Sequence, residues 1–188
     1  MFNRKYTYQG LGFNHDYRPL KKGTMEMNSF GLKDWLRASI YTPLMFYQFY
    51  LSWRYYNSLR IDWVTNLGWL ILSLSAIFGW LPIYELRKHG GVPNGKSYVS
   101  TTRVVNTGVY SLVRHPQFLA GILIALSMML ISQHIHSVVA GLIASVFFAS
   151  EVPVEDRRNI EKFGEPYRVY MKEVPALNFI AGIFRRLK

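Results

Sequence analysis

Arg114 and His115 are the last strongly polar side chains before a long uncharged run, and Pro116 follows them directly. A proline suits the first position of a helix, where its missing N–H costs nothing and its fixed φ matches the turn. The N–H groups of Gln117 and Phe118 are then expected to point freely out of a helix start that carries partial positive charge. Arg114 adds a fork of donors. These residue types in this order make a cup for a carboxylate or phosphate. They also suit plain anchoring among lipid headgroups, and the stretch by itself leaves both readings open.

Carboxylates come next. Glu151 and the pair Glu155-Asp156 stand at the far end of that run, beyond a polar interruption that divides it in two, where ionised groups are costly unless paired or wet. Arg157 and Arg158 beside them allow a solvated charge cluster. If the two uncharged runs form an antiparallel helical hairpin, Glu155-Asp156 and Arg114-His115 share one rim instead. Such a rim suits a zwitterion, a ligand with both a carboxylate and an amine or sulfonium. His134 and His136 flank Ile135 in a polar interruption, and neither a third ligand nor any cysteine accompanies them, so no metal site is expected.

The elements that must position these groups are apolar. Residues 63–84 are uncharged, roughly 33 Å of helix, with Pro82 and Glu85 expected to close it. Residues 38–53 are uncharged, aromatic and short for a span unless Trp35 and Leu36 are counted. The run 117–150 is too long for one crossing, and Ser132–Ser137 interrupts it. It reads as the hairpin, Pro116–Ile131 and Val138–Val152, with small residues at Gly121, Ala125, Ser127, Ala140, Gly141, Ala144 and Ser145 for close contact. Residues 85–114 read as loop with a short extended piece at Tyr98–Val105. Phe163–Tyr170 reads as an amphipathic surface helix whose Tyr167 and Tyr170 suit an interface.

The expected fold is therefore an all-α integral membrane protein with about four transmembrane helices, including the C-terminal hairpin. An extended N-terminal arm, residues 1–37, precedes the membrane domain, residues 38–188. Of the 22 Lys and Arg residues only Arg54 and Arg60 fall on one face. The positive-inside rule then puts the termini and the central loop on the cytoplasmic or matrix side. A net charge of +11 in a chain that is 50% apolar and 16% aromatic fits a membrane surface and gives no reason to expect nucleic acid.

The pattern Gly108-x-Tyr110-x-x-x-Arg114-His115-Pro116-x-Phe118-x-x-Gly121, then Pro153-x-Glu155-Asp156, then Phe163-Gly164-x-x-Tyr167-x-x-Tyr170, resembles the isoprenylcysteine carboxyl methyltransferase and phospholipid N-methyltransferase family of integral membrane enzymes. The likeness covers about Val104–Pro175. It implies a helix bundle closed by its C-terminal segment over S-adenosylmethionine, with a lipidic substrate arriving from the bilayer. Tyr110, Arg114, His115, Pro116, Glu155 and Asp156 would bind that cofactor, and Arg114 and Glu155 would carry catalysis. The chain departs from the family pattern at Phe118, where a tyrosine is usual, and at Asp156, where a second glutamate is usual. Asn159 and Glu151 are further departures.

Two functions follow. One is an S-adenosylmethionine-dependent methyltransferase acting on a membrane lipid or prenylcysteine acceptor. The other, motivated by the arm, the departures and the apolar tail Ala176–Phe184, is an inactive relative serving as a structural subunit of a larger membrane complex, such as a respiratory one. Arm and tail are its candidate protein contacts. A transporter is disfavoured, since no expected span carries an internal charge.

Overall fold

The computed structural model describes residues 32–187, with side chains from Thr42 onward; residues 1–31 of the expected arm lie outside them. The chain divides into two units, Met1–Leu36 and Arg37–Lys188, and the second holds all of the site residues. Six α-helices and no strand occur among the described residues: α1 (Leu32–Arg54), α2 (Asp62–His89), α3 (Pro116–Ser132), α4 (Ile135–Phe163), α5 (Glu165–Glu173) and α6 (Phe179–Leu187), with a 3₁₀ turn at Gly108–Ser111. By length and composition α2 and α4 are able to cross a membrane, while the apolar α3 is shorter at 17 residues.

Several boundaries differ from the sequence expectation. The helix expected to close at Pro82 runs on to His89, and the one expected to end at Val152 continues through Pro153 to Phe163. Apolar helices tolerate an internal proline when neighbouring helices take over the freed backbone groups. The interruption Ser132–Ser137 is mostly helical, and only Gln133 and His134 form the connection. Gln133 adopts the left-handed conformation, φ 52°, while the His134 ring stacks on Tyr55 at 3.8 Å. The extended piece expected at Tyr98–Val105 is turn and coil.

The α1–α2 and α3–α4 connections meet at one end of the bundle. Asn57 N and Ser58 N donate to the carbonyls of Ile131 and Ser132, and the Gln133 amide donates to Ile61 O and Thr65 Oγ1. Deeper in, Gln48 is fully buried and its amide donates to Ala125 O at 2.8 Å and Ser137 O at 3.3 Å. Ser52 Oγ donates to Met128 O beside it. These bonds tie α1 to α3 and α4 where apolar packing alone has little directional preference. Of the small residues marked for close contact, Gly121, Ala125, Ser127, Ala140, Gly141 and Ala144 are buried.

The other end carries the charges. Charged residues resume at Glu151, so the last three turns of α4 belong to a polar region that also includes residues 85–115 and α5. A core of Phe78, Val113, Leu119, Ala120 and Leu123 lies beneath it.

Gln48→Ala should lower stability by about 1–3 kcal/mol, combining lost interhelical bonds with a cavity. Thermal unfolding in detergent would show this as a lower Tm, and an unchanged Tm would mean the bonds contribute nothing.

Candidate functional site

The His115–Pro116 junction starts α3, as the proline's position suggests, and both residues are buried. Their surroundings come from the far end of the chain. Arg114 N donates to Pro175 O at 2.9 Å and His115 N to Ala176 O at 3.1 Å, so the strap between α5 and α6 lies along this junction. The Arg114 guanidinium reaches the same region: Nη1 donates to the carbonyls of Met171 (2.9 Å) and Val174 (2.6 Å) at the C-terminus of α5. A cation there complements the partial negative charge of a helix end.

Asp156 joins this arrangement from α4. Its Oδ2 accepts from Arg114 Nη2 at 3.0 Å, and its Oδ1 lies 2.8 Å from His115 Nε2 and accepts from the Tyr167 hydroxyl at 2.7 Å. The residue is only 7% exposed. Burial by itself raises a carboxyl group. Here the hydrogen bonds with His115 and Tyr167, the electrostatic attraction of His115 and the hydrogen bond from Arg114 outweigh that, holding Asp156 at about 2. Tyr167 moves the other way: burial, then its bond to the carboxylate, pushes the phenol up. Tyr167 and Tyr170 were expected at an interface, yet both are buried, because Tyr167 reaches inward to Asp156 and Tyr170 donates to Tyr110 O at 2.6 Å.

The pair Glu155-Asp156 is thus divided in its contacts. Asp156 faces Arg114 and His115. Glu155, about one-third exposed, meets Asn159 at 3.4 Å and Arg158 at 3.7 Å on its own helix. Tyr110 is half-buried in the 3₁₀ turn; burial first, then Tyr98, Glu155 and Glu85, push its phenol up, so these four groups share one neighbourhood. Gln117 donates to the Tyr98 hydroxyl at 3.4 Å and adds the first turn of α3 to that neighbourhood.

Three contributors escaped the sequence reading. The Tyr167 hydroxyl was quoted in a motif but not counted as a site group, although Gly164 breaks the helix at a spacing that lets α5 fold back. Asn159 lies within 3.5 Å of that hydroxyl. Glu85 accepts from Thr107 Oγ1 at 2.8 Å and lies 2.9 Å from His89 Nδ1. Gly108, at φ +53°, lets the Glu85 carboxylate occupy the space a Cβ would fill. No local pattern announces that contact. His134 and His136 lie at the opposite end, as does an open apolar groove of about 710 Å³ between α2, α3 and α4. No cluster of three metal-binding side chains occurs among the described residues.

A carboxyl group held lower in the folded state contributes stability above its unfolded value, near 3.9, and loses it as pH falls toward about 2. Wild-type protein should therefore weaken steadily between about pH 4 and 2, and Asp156→Asn should flatten that slope while being less stable at neutral pH. Chemical denaturation across this range measures it; parallel slopes would remove Asp156 from the account.

Comparison with known proteins places the chain in a family. No solved structure matches the chain. A protein-S-isoprenylcysteine O-methyltransferase of Schizosaccharomyces pombe is 30% identical over 131 residues, 64% of this chain and 55% of that relative, so the match spans about half the relative's length. Residues 63–166 match the phospholipid methyltransferase family. That stretch is more than half of the chain and contains Tyr110, Arg114, His115, Glu155 and Asp156: the chain belongs to the phospholipid methyltransferase family.

Proposed function

We propose that this chain is a membrane-embedded methyltransferase that takes S-adenosylmethionine as methyl donor and a lipid amine or prenylcysteine carboxylate as acceptor. One observation carries the reading. In a chain of this family, Arg114-His115 and Asp156, 41 residues further on, bond to one another under the α5–α6 strap. The half-buried Tyr110 and Glu155 stand beside that joint.

The residues fit such a donor. The first-turn N–H groups of α3 have no acceptor within the helix and suit a carboxylate. Arg114 Nε is buried without a partner among the described residues, one donor of the guanidinium left over. Glu155 offers a carboxylate to an ammonium or sulfonium, and the Tyr110 ring offers a π face. Bound there, the donor supplies an electrophilic methyl group on sulfur. The chain's part is to align donor and acceptor and exclude water. On this reading Tyr110, Pro116 and Glu155 line the cup. Arg114, His115 and Asp156 brace it through the contacts they make with each other.

Four membrane crossings, α1 to α4, complete the proposal, with the polar end and both termini on the cytoplasmic or matrix side. Outward-facing side chains support it: Phe46, Tyr50 and Trp53 on α1, Trp69, Leu70 and Trp80 on α2, and Leu142, Ile143 and Val146 on α4 are exposed. So much exposed apolar surface needs lipid or a partner to cover it. Arg54 and Arg60 lie at the end with the two helix connections, away from the other described cations.

Isothermal titration of the detergent-solubilised protein with S-adenosylhomocysteine tests the reading. Saturable binding is expected, and Glu155→Ala should lose it with helicity and Tm unchanged. Folded wild-type protein that takes up no heat at millimolar ligand would overturn the methyltransferase reading in favour of the non-catalytic one.

A further inference from the structure

Helix α6 has two unlike sides. The Phe179 ring meets that of Phe78 at a tilt of 54°, centroids 5.4 Å apart, and Gly182 is buried against Leu112, where a Cβ would collide with the Leu112 carbonyl oxygen. Arg186 Nη1 donates to Ser111 Oγ at 2.8 Å. These contacts fix the helix to the bundle along one line. On another line Ile180, Ile183, Phe184 and Leu187 are 54, 40, 65 and 79% exposed. Spacings of three, four and seven put them in one stripe. The packing of α6 on the bundle leaves that stripe uncovered.

We infer that α6 is an interfacial helix whose Ile180-Ile183-Phe184-Leu187 stripe docks into an anionic lipid leaflet. Three features of the helix and its surroundings select this occupant. First, the sequence sets three cations, Arg185, Arg186 and Lys188, within four residues at the C-terminal end of the stripe, the complement of acidic headgroups. Second, the height is right. Phe179 meets Phe78, two residues from Trp80, which is 77% exposed and of the type that marks a bilayer boundary. The surface of a membrane crossed by α2 would therefore lie level with α6. Third, the polar side is separate: at 3.6 residues per turn Arg185 lies roughly 150° around the helix from the centre of the stripe.

The docking has a consequence for the site. Only Leu177 and Asn178 lie between α6 and the Pro175-Ala176 carbonyls that receive Arg114 N and His115 N. Lipid binding by α6 thus holds the strap against the start of α3 from outside. The inference concerns this helix and stands whether or not the chain transfers methyl groups.

The chain has no native cysteine, so single labelling sites are clean. Full-length Ile183→Cys, Leu187→Cys and Arg185→Cys, each carrying an environment-sensitive fluorophore, are reconstituted in nanodiscs of phosphatidylcholine alone or with phosphatidylserine. Lipid-borne nitroxide quencher reports depth. Residues 183 and 187 should be quenched and residue 185 should not. Phosphatidylserine should strengthen the quenching, and Arg185→Gln placed in the 183 and 187 backgrounds should weaken that enhancement. Water-exposed labels at all three positions, equal quenching at all three, or indifference to phosphatidylserine would overturn the inference. So would protection seen only when two copies share a disc, which would assign the stripe to a second copy.

Discussion

The polar end of this protein depends on one buried anion. An ionised carboxylate taken out of water costs several kcal/mol unless its partners replace the lost hydration. Asp156 finds that replacement in Arg114 and His115 at the start of α3 and in Tyr167 of α5. Each partner is held by something else. Arg114 also clasps the last turn of α5, His115 donates its N–H to the strap, and Tyr167 sits in a cluster with Tyr170 and Val174. Removing any one support leaves the others with an unpaired buried group. The arrangement is therefore cooperative. The C-terminal segment cannot drift from α3 without breaking it.

The two ends of the bundle solve the same problem differently. Where the α1–α2 and α3–α4 connections meet, neutral amides and hydroxyls join the helices through Gln48, Ser52, Ser58 and Gln133. Neutral groups are cheaper to bury than ions, but they do little to bind a charged ligand. At the other end the ion pair costs more and fixes orientation. Among the described residues no hydrogen bond joins Glu155, Tyr110 and the first turn of α3 to one another. The methyl-donor site proposed for this end would use that combination: firm support behind and partly exposed polar groups in front.

Much of this was legible in the residues, for identifiable reasons. The Arg114-His115-Pro116 junction announces a helix start because proline restricts the backbone there whatever the tertiary setting. Antiparallel runs bring Asp156 to that start by chain connectivity alone. The extent of the helices was less visible. Pro82 was expected to close its helix and Val152 to end the next, but both helices run on, through Pro82 and through Pro153. Ser132–Ser137 reads as a polar gap, yet Ser137 is buried and its hydroxyl donates to Met128 O. Tyr167 and Tyr170 read as interfacial because helix spacing shows that two residues share a face, not which face is inward. Glu85 was invisible, since its place beside Gly108 depends on the path of a loop.

The departures at Phe118 and Asp156 bear on the site in opposite senses. Phe118 stacks on His115 with ring centroids 5.4 Å apart and planes 15° from parallel. That contact uses the ring and needs no hydroxyl, so a phenylalanine can support His115 as a tyrosine ring would. Asp156 is one methylene shorter than the usual glutamate, and both its oxygens are already engaged by three partners. A shorter carboxylate pulled back into the brace cannot also serve a ligand well. Glu155 keeps its carboxylate about one-third exposed, and its partners among the described residues are Arg158 and Asn159 of its own helix. On the proposed reading the two neighbouring acids divide, Asp156 to support and Glu155 to recognition, and the division follows from side-chain length and burial.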